Sequence, residues 1–167
     1  MKKFTKVLAV LLAVAVFATA FAACSKNGST SSKVKVIDIA LSDEEYAFGV
    51  DKNQPELKQQ VNDFVAEIKS NGKLDEICNK YFADGTPEGI TSATQDPSKD
   101  QLVVATNAEF APFEYKQGDQ FFGIDMEIAN LLAQKLNKEL VIVDMAFDAV
   151  LLSVQQGKAD IGMAGLT

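Results

Sequence analysis

The 167-residue sequence contains no histidine and no tryptophan. Without histidine it lacks the commonest metal ligand and the commonest general base of enzymes. It also shows no nucleophile paired with a base, no cluster of metal-ligating residues and no GxGxxG following a strand. We therefore expect no metal, no cofactor and no catalytic residue, and an enzyme is the least favoured class of function.

Basic residues are in the minority, with 16 Lys and Arg against 23 Asp and Glu and a formal net charge of −7. Met1 to Ala23 holds three lysines and no acidic residue, so its removal makes the remainder more negative by those three charges. Nucleic acids and anionic lipid headgroups both require a basic face on their partner. We expect neither of them as a partner, and the net charge does not identify a ligand.

The first 23 residues carry an export pattern. Three lysines precede an apolar run from Val7 to Phe21, and small residues then lead to Cys24. This is the pattern of a secretory signal peptide, and it resembles a bacterial lipoprotein signal, in which Cys24 is lipidated and becomes the first mature residue. The alternative is an uncleaved membrane anchor, for which the run is shorter than the roughly 20 residues that a span needs.

The two cysteines of the sequence have different predicted roles. Residues 24–33 are rich in Ser and Gly, which predicts a flexible tether between a lipid on Cys24 and a folded domain. Cys78 is then left without a partner, so no disulfide framework is expected. It lies on the apolar face of a predicted helix, where a small core residue is favoured over a reactive thiol.

The clearest fold signal lies between Leu102 and Thr167. The apolar run from Leu102 to Ala105 predicts a strand buried on both faces. Helices and strands are predicted to alternate after it: a helix from Ile124, a strand over Leu140–Met145, a helix from Phe147 to Gly157 and a strand over Ala159–Ala164. This order favours a right-handed parallel α/β sheet, whose ligand crevice lies at the carboxyl ends of the strands.

The predicted loop over residues 106–115 follows the first of these strands. Phe110, Phe113 and Tyr115 crowd around a proline in a segment too short to bury them all. Aromatic residues at the carboxyl end of a strand commonly line a binding site. Beyond this loop, Asp125 is placed either to cap the predicted helix or to charge its first turn.

The first half of the chain predicts further elements of the same domain. Val34–Leu41 is predicted to be a strand, and Tyr46–Val50 a second strand that pairs antiparallel and covers an edge of the sheet. Pro55 begins a helix that Asn71-Gly72 ends, and the spacing of Leu74, Ile77, Cys78 and Tyr81 predicts a shorter helix. Residues 83–100 are rich in Gly, Pro, Ser and Thr, which predicts a linker.

Two parts of the sequence resemble one family. The strings ATNAEFAPFEYKQGDQFFGIDMEIANLLAQKL and GKADIGMAGLT resemble the beginning of the family 3 extracellular solute-binding proteins, the amino-acid receptors of ABC importers, and above all the glutamine-type receptors. The string EEYAFGVDKNQPELKQQVNDFVAEIKSNGKLDEICNKYF resembles the carboxyl-terminal end of the same family. The family's last segment therefore precedes its first.

The resemblance implies a single lobe of the type II periplasmic-binding-protein fold. This is an α/β lobe with a mostly parallel sheet, one antiparallel strand and flanking helices. Residues 34–82 would be the C-terminal part of lobe I, and residues 101–167 its N-terminal part, truncated at Thr167. We expect the second lobe to follow Thr167 in a longer reading frame, and a natural single-lobe protein is the alternative.

The resemblance also implies a set of ligand-binding residues, namely Asn107, Phe110, Phe147, Ala164, Gly165 and Thr167. Phe110 would be an aromatic platform over the bound amino acid, and Phe147 a second aromatic wall. Backbone groups of Ala164 and Gly165, with the Thr167 hydroxyl, would hold the amino-acid moiety. Asn107 replaces a frequent Asp of the family, which disfavours a ligand with a cationic side chain.

Each of these residues also has a purely structural interpretation. Phe110 can pack on Pro112 as an ordinary loop residue, Phe147 can begin the apolar stripe of its helix, and the Ala164-Gly165 segment can be a tight turn. Glu114 is expected to be a structural hydrogen-bond partner for the backbone donors of the irregular loop.

The function implied by the resemblance is transport. The protein would be exported, anchored to the outer face of the bacterial cell membrane by the lipid on Cys24, and would deliver a polar amino acid to the membrane subunits of an ABC importer. The family's arginine for the α-carboxylate and its acidic partner for the α-ammonium would lie beyond Thr167, so these residues form half a site that binds weakly. The alternative is a single-lobe interaction module, or a non-binding remnant, that no amino acid stabilises.

Overall fold

The computed structural model describes Ile39 and residues 44–167. The predicted signal peptide, tether and strand over Val34–Leu41 lie outside the described residues, apart from Ile39. The helices are α1 (Pro55–Ser70), α2 (Lys73–Phe82), α3 (Ile124–Lys135) and α4 (Phe147–Gln155). The strands are β1 (Ala47–Val50), β2 (Gln101–Thr106), β3 (Glu109–Phe110), β4 (Glu114–Gln117), β5 (Gln120–Phe122), β6 (Glu139–Asp144) and β7 (Ile161–Leu166). None of these described helices is long and apolar enough to span a bilayer.

The main sheet has the strand order β1-β7-β2-β6. Strand β2 pairs in parallel with both β6 and β7, while β1 pairs antiparallel with β7, which confirms the mostly parallel sheet with one antiparallel strand. The last strand begins at Ile161, two residues later than predicted. The reason is Asp160, whose amide donates to the Val103 carbonyl at 2.8 Å while its carboxylate accepts from the Val103 amide at 2.7 Å.

The two faces of the sheet are buried by different helices. Leu102 and Val104 of β2 pack in one cluster with residues of α1, α2 and α3. Ala105, on the opposite face, packs with Val150 and Val154 of α4. Alternate residues of β2 are thus covered from both sides, as an apolar run in a parallel sheet requires.

Residues 106–122 contain a second, small sheet that the sequence analysis did not predict. Strands β3, β4 and β5 form an antiparallel sheet in that order. The prediction of a plain loop was wrong because these strands are only two to four residues long, too short for a clear alternation of apolar and polar residues. Cross-strand stacking of Tyr115 on Phe122, with ring centroids 5.6 Å apart, stabilises the hairpin.

The predicted linker makes directional contacts with both sheets. The amide and carbonyl of Ile90 pair with those of Phe121 at 2.7 and 2.9 Å. Along the outer side of β6, the Ala93 amide donates to the Leu140 carbonyl at 2.9 Å, and the Ile142 amide donates to the Ser92 hydroxyl at 2.8 Å. These bonds occupy donors and acceptors of β6 that an edge strand would otherwise leave unpaired.

A polar network joins the first half of the chain to the second. The Tyr81 hydroxyl of α2 donates to Glu127 of α3 at 2.8 Å and accepts from the Gly123 amide at 2.9 Å. The second oxygen of Glu127 pairs with Lys80 at 2.7 Å. Burial raises the pKa of Tyr81 and, with the Glu127 hydrogen bond, keeps its hydroxyl protonated as a donor. The network therefore fixes the chain immediately before α3.

Candidate functional site

Hydrogen bonds tie together the carboxyl ends of β2 and β6. The Met145 amide donates to the Thr106 carbonyl at 2.9 Å, and the Ala108 amide donates to the Asp144 carboxylate at 3.0 Å. The side-chain amide of Asn107 donates to the Met145 carbonyl at 3.0 Å. Asn107 lies at the predicted edge, with its nitrogen used to hold the chain that leads into α4.

Phe110 provides an exposed aromatic surface at this edge. About half of its side chain is solvent-accessible (48% exposure), although its ring stacks on that of Phe113, with centroids 5.5 Å apart and planes 14° from parallel. The Phe113 ring in turn packs on Tyr46, with centroids 4.5 Å apart. Two aromatic layers thus support one face of Phe110 and leave other parts of its ring open to solvent.

Gly165 lies directly against the ring of Phe110. A Cβ atom at this position would be 2.9 Å from two carbons of the ring, and the backbone has a φ of +54°. Both facts favour glycine, because a larger residue would displace the ring and strain the backbone. The structure therefore brings together two of the residues predicted to bind ligand.

The remaining predicted residues have different surroundings. Ala164 is buried, with its side chain in the cluster formed with α4, so that its backbone alone is available for a ligand. Thr167 is exposed. Phe147 begins α4 and is 53% exposed, but it belongs to none of the stacked aromatic pairs found among the described residues. It follows β6 at the start of α4, and its ring is not stacked on that of Phe110.

Two buried carboxyl groups, Glu114 and Asp125, lie beneath this edge. Their exposures are 1% and 4%, and neither takes part in an ion pair of the described residues. One carboxylate oxygen of Asp125 accepts from the Gly165 amide at 3.0 Å, while one oxygen of Glu114 has no partner within the described part of the chain. Asp125 charges the first turn of α3 but caps no amide of that helix.

The pair shares a single negative charge near neutral pH. Burial, together with the nearby Asp125 charge and the hydrogen bond with Asp125, raises the pKa of Glu114 to about 9. Burial also raises the pKa of Asp125, to about 6, against the lowering effect of its hydrogen bonds with Gly165 and Glu114. Glu114 is therefore a protonated donor to an ionised Asp125, instead of the predicted acceptor for backbone amides of the loop. The Gly165 amide is satisfied by Asp125.

An apolar groove of about 580 Å³ lies behind Phe113. Tyr46, Asp125, Lys69 and Cys78 are among the residues that line it. Cys78 is half-buried, and burial raises the pKa of its thiol, which keeps it protonated and supports a structural role over a reactive one. No group of acidic or cysteine residues in the described part of the chain is arranged to hold a metal ion.

Sequence reasoning located the edge but missed Asp125 as one of its members. The sequence signal was limited to an acidic residue in the first turn of a helix, which is common on protein surfaces. Its burial and its bond to a glycine 40 positions later depend on tertiary packing. Phe113 is the aromatic layer that supports Phe110.

Comparison with known proteins matches most of the chain to one family. The model of the bacterial extracellular solute-binding proteins, family 3, matches residues 5–84 and 102–167. Among individual proteins, the arginine-binding extracellular protein ArtP of Bacillus subtilis (strain 168) is 33% identical over 79 residues, which cover 47% of this chain and 31% of ArtP. The probable ABC transporter arginine-binding protein ArtJ of Chlamydia trachomatis serovar D is 32% identical over 74 residues, 43% of this chain and 28% of ArtJ.

Solved structures give matches of similar extent. The arginine-bound substrate-binding protein AbpA of Streptococcus pneumoniae is 49% identical, with a TM-score of 0.39 over 41% of this chain and 30% of that chain. The arginine-bound domain 1 of TmArgBP is 35% identical, with a TM-score of 0.40 over 44% of this chain and 61% of that chain. The chain spans about a third of the length of the curated relatives it matches.

Proposed function

Because the chain belongs to the bacterial extracellular solute-binding proteins of family 3, we propose that it binds an amino acid at the carboxyl edge of β2, β6 and β7. The amino acid would be passed to an ABC importer, and the protein would act by binding and not by catalysis. The curated relatives that support this proposal are named as arginine-binding proteins, one of them of a probable ABC transporter.

The observation that carries the proposal is the contact between Phe110 and Gly165. An exposed ring supported from behind offers a flat apolar surface for the aliphatic part of an amino acid. The glycine beside it brings backbone groups to the same point without a side chain in the way. With the Gly165 amide bonded to Asp125, its carbonyl is the group left to accept from the α-ammonium of a ligand.

We propose arginine as the first ligand to test. The relatives' names favour it, whereas Asn107 lacks the charge that would pair with a guanidinium. The edge has other acidic residues in exposed positions, namely Glu109 in β3, Asp144 at the end of β6 and Asp148 in the first turn of α4. These carboxylates can supply the attraction that Asn107 does not.

Replacing Phe110 by alanine is expected to weaken binding of L-arginine about 10- to 100-fold, because the ligand loses the apolar area of one aromatic ring. The measurement is an NMR titration of the full chain with L-arginine and, separately, with L-glutamine, a method that detects weak as well as strong binding. Preference for glutamine over arginine would support the expectation that Asn107 disfavours a ligand with a cationic side chain.

The matched control is Phe82→Ala. Phe82 is also an exposed phenylalanine, with 65% exposure, but it ends α2 and belongs to none of the strands whose carboxyl ends form the proposed site. Its loss is expected to leave the affinity unchanged. An unchanged affinity in Phe110→Ala would contradict the role of Phe110 as an aromatic platform for the ligand. The absence of any amino-acid binding by the unsubstituted chain would favour the single-lobe interaction module.

The proposal includes lipid anchoring through Cys24, which rests on the export pattern of the first 23 residues. We expect the protein extracted from bacterial membranes to have a mass that includes a diacylglycerol or triacyl group, and Cys24→Ser to abolish both this mass and membrane association. Intact-mass spectrometry of the extracted protein measures the first, and fractionation of cells the second. A Cys24→Ser protein that stays in the membrane would instead support an uncleaved anchor.

A further inference from the structure

We propose that Asp125 is a positioning residue for the candidate site, holding the Gly165 backbone against Phe110 through its carboxylate and thereby linking ligand affinity to proton concentration. The proposal rests on amino-acid binding at this edge, as proposed above. It assigns a role to a residue that lies beneath the edge and does not itself reach the ligand.

The hydrogen bond from Gly165 to Asp125 fixes the orientation of a whole peptide unit. Gly165 has a φ of +54° near the end of β7, where its pairing with β2, at Ile161 and Gly162, has already ended. The Asp125 oxygen, at 3.0 Å, therefore takes the place of a sheet partner for its amide. This peptide unit joins the Ala164 carbonyl to the Gly165 amide, so its rotation would reorient the Ala164 carbonyl and change the backbone conformation of Gly165 beside the ring of Phe110.

The position of Asp125 is itself strongly constrained. Its amide donates to the Phe113 carbonyl at 2.9 Å, which ties it to the segment that carries the aromatic stack. It belongs to the first turn of α3, whose amino-terminal end favours a negative charge. Phe113, Asp125 and Gly165 thus form a connected path from the support of Phe110 to the backbone beside it.

The strength of this hold depends on the charge of Asp125. A hydrogen bond to an ionised carboxylate is about twice as strong as one to a neutral group. Because burial raises the pKa of Asp125 to about 6, the carboxyl changes its charge within the physiological range instead of well below it. Above this pH Asp125 holds the Gly165 amide as an anion, and below it the hold weakens.

Several other ionisable groups lie around Asp125. Asp125 is the one that we expect to change its charge near pH 6. Glu114 on β4 faces it and remains protonated, as its pKa of about 9 requires. Tyr46, immediately before β1, lines the groove, and the hydrogen bond with Glu44, with smaller effects of Asp125 and Glu114, raises its pKa above the usual value. Lys69 of α1 and Cys78 of α2 line the same groove, Asp148 lies in the first turn of α4, and β7 contains no charged residue.

The sequence permits direct observation of Gly165. Ala164-Gly165 is the one Ala-Gly pair in the chain. Labelling alanine with carbonyl ¹³C and glycine with ¹⁵N therefore yields a single amide signal in an experiment that selects directly bonded ¹³C–¹⁵N pairs. This signal can be followed in the full chain, with no assignment of other residues and with no ligand present.

We expect the Gly165 amide signal to shift with pH, with a midpoint near pH 6. The shift should vanish in Asp125→Asn, which keeps an oxygen acceptor but cannot ionise. It should persist in Glu114→Gln, which keeps a donor to Asp125. A signal that stays constant between pH 4.5 and 8, or that shifts equally in Asp125→Asn, overturns the proposal.

A second measurement, titration with L-arginine at pH 7.5 and pH 5, tests the effect on affinity. Binding should be about tenfold weaker at pH 5, because about a tenth of the molecules then keep Asp125 ionised, and Asp125→Asn should lose this pH dependence. A Gly165 shift with pH-independent affinity overturns the link to affinity. A Gly165 shift with no arginine binding at any pH supports the hold on Gly165 and contradicts amino-acid binding, so the two proposals fail separately.

Discussion

The variant Gly123→Ala is expected to lose about 4 kcal/mol or more of folding free energy, or to fail to fold. A Cβ atom on Gly123 would lie 2.1 Å from the Phe113 carbonyl oxygen and 2.8 Å from the Glu114 amide nitrogen. These are backbone atoms, which cannot rotate away as the end of a side chain can. The φ of +126° adds backbone strain for any residue with a side chain.

The matched control for this variant is Gly118→Ala. Gly118 also has a positive φ, +60°, but no atom lies within 4 Å of the position that its Cβ would occupy. Its substitution should therefore cost only the backbone strain, about 1–2 kcal/mol. Urea unfolding followed by circular dichroism measures both variants, and losses of similar size would show that the contact at Gly123 relaxes without cost.

Gly123 matters for the site as well as for stability. It connects β5 to α3, and its amide is held by the Tyr81 hydroxyl at 2.9 Å. Asp125 follows two residues later, so the close packing of Gly123 on Phe113 determines where the carboxylate meets Gly165. The tight turn before α3 is thus one of the constraints that bring the two halves of the edge together.

The parts of the fold that could be predicted have strong local signals. The apolar run that forms β2 and the helical spacing from Ile124 to Leu136 gave the right types of element, because burial repeats with the period of the secondary structure. Pro55 and Asn71-Gly72 marked the ends of α1 to within a residue. The positions of Phe110 and Gly165 at the carboxyl edge followed from the parallel α/β order.

The parts that could not be predicted depend on contacts between residues distant in sequence. The sequence alone does not show that Glu114 and Asp125 face each other, or that the Gly165 amide selects Asp125 as its acceptor. The composition of residues 83–100 is typical of a flexible linker. Their defined conformation arises from hydrogen bonds with β6 and Phe121, which the composition does not indicate. Phe147 was placed at the edge, but its distance from Phe110 depends on how α4 begins.

The buried carboxyl of Glu114 is expected to make the folded chain less stable as the pH rises, and Glu114→Gln to remove this loss. At about pH 4 and below, Glu114 is protonated in both the folded and the unfolded chain, so its titration contributes no difference in stability. Above that pH the unfolded chain ionises, whereas the folded chain stays protonated up to about pH 9. Each pH unit in this interval favours unfolding by about 1.4 kcal/mol.

The free energies of unfolding of the two proteins should therefore diverge with pH. Relative to its value at pH 5, the advantage of Glu114→Gln over the unsubstituted chain at pH 8 should reach about 4 kcal/mol. Asp125 titrates in both proteins, so its own effect largely cancels in the comparison. Urea unfolding at several pH values between 5 and 8 gives the measurement.

The control is Glu109→Gln, which replaces the same type of carboxyl group at an exposed position in the neighbouring strand β3. It should change stability by less than about 0.5 kcal/mol at every pH, because a surface substitution exchanges little solvation on folding. An advantage of Glu114→Gln that stays constant with pH would mean that Glu114 is ionised in the folded protein. Glu114 and Asp125 would then be two adjacent buried anions beneath Gly165, without a cation to neutralise them. The pH dependence at Gly165 could not be assigned to Asp125 alone.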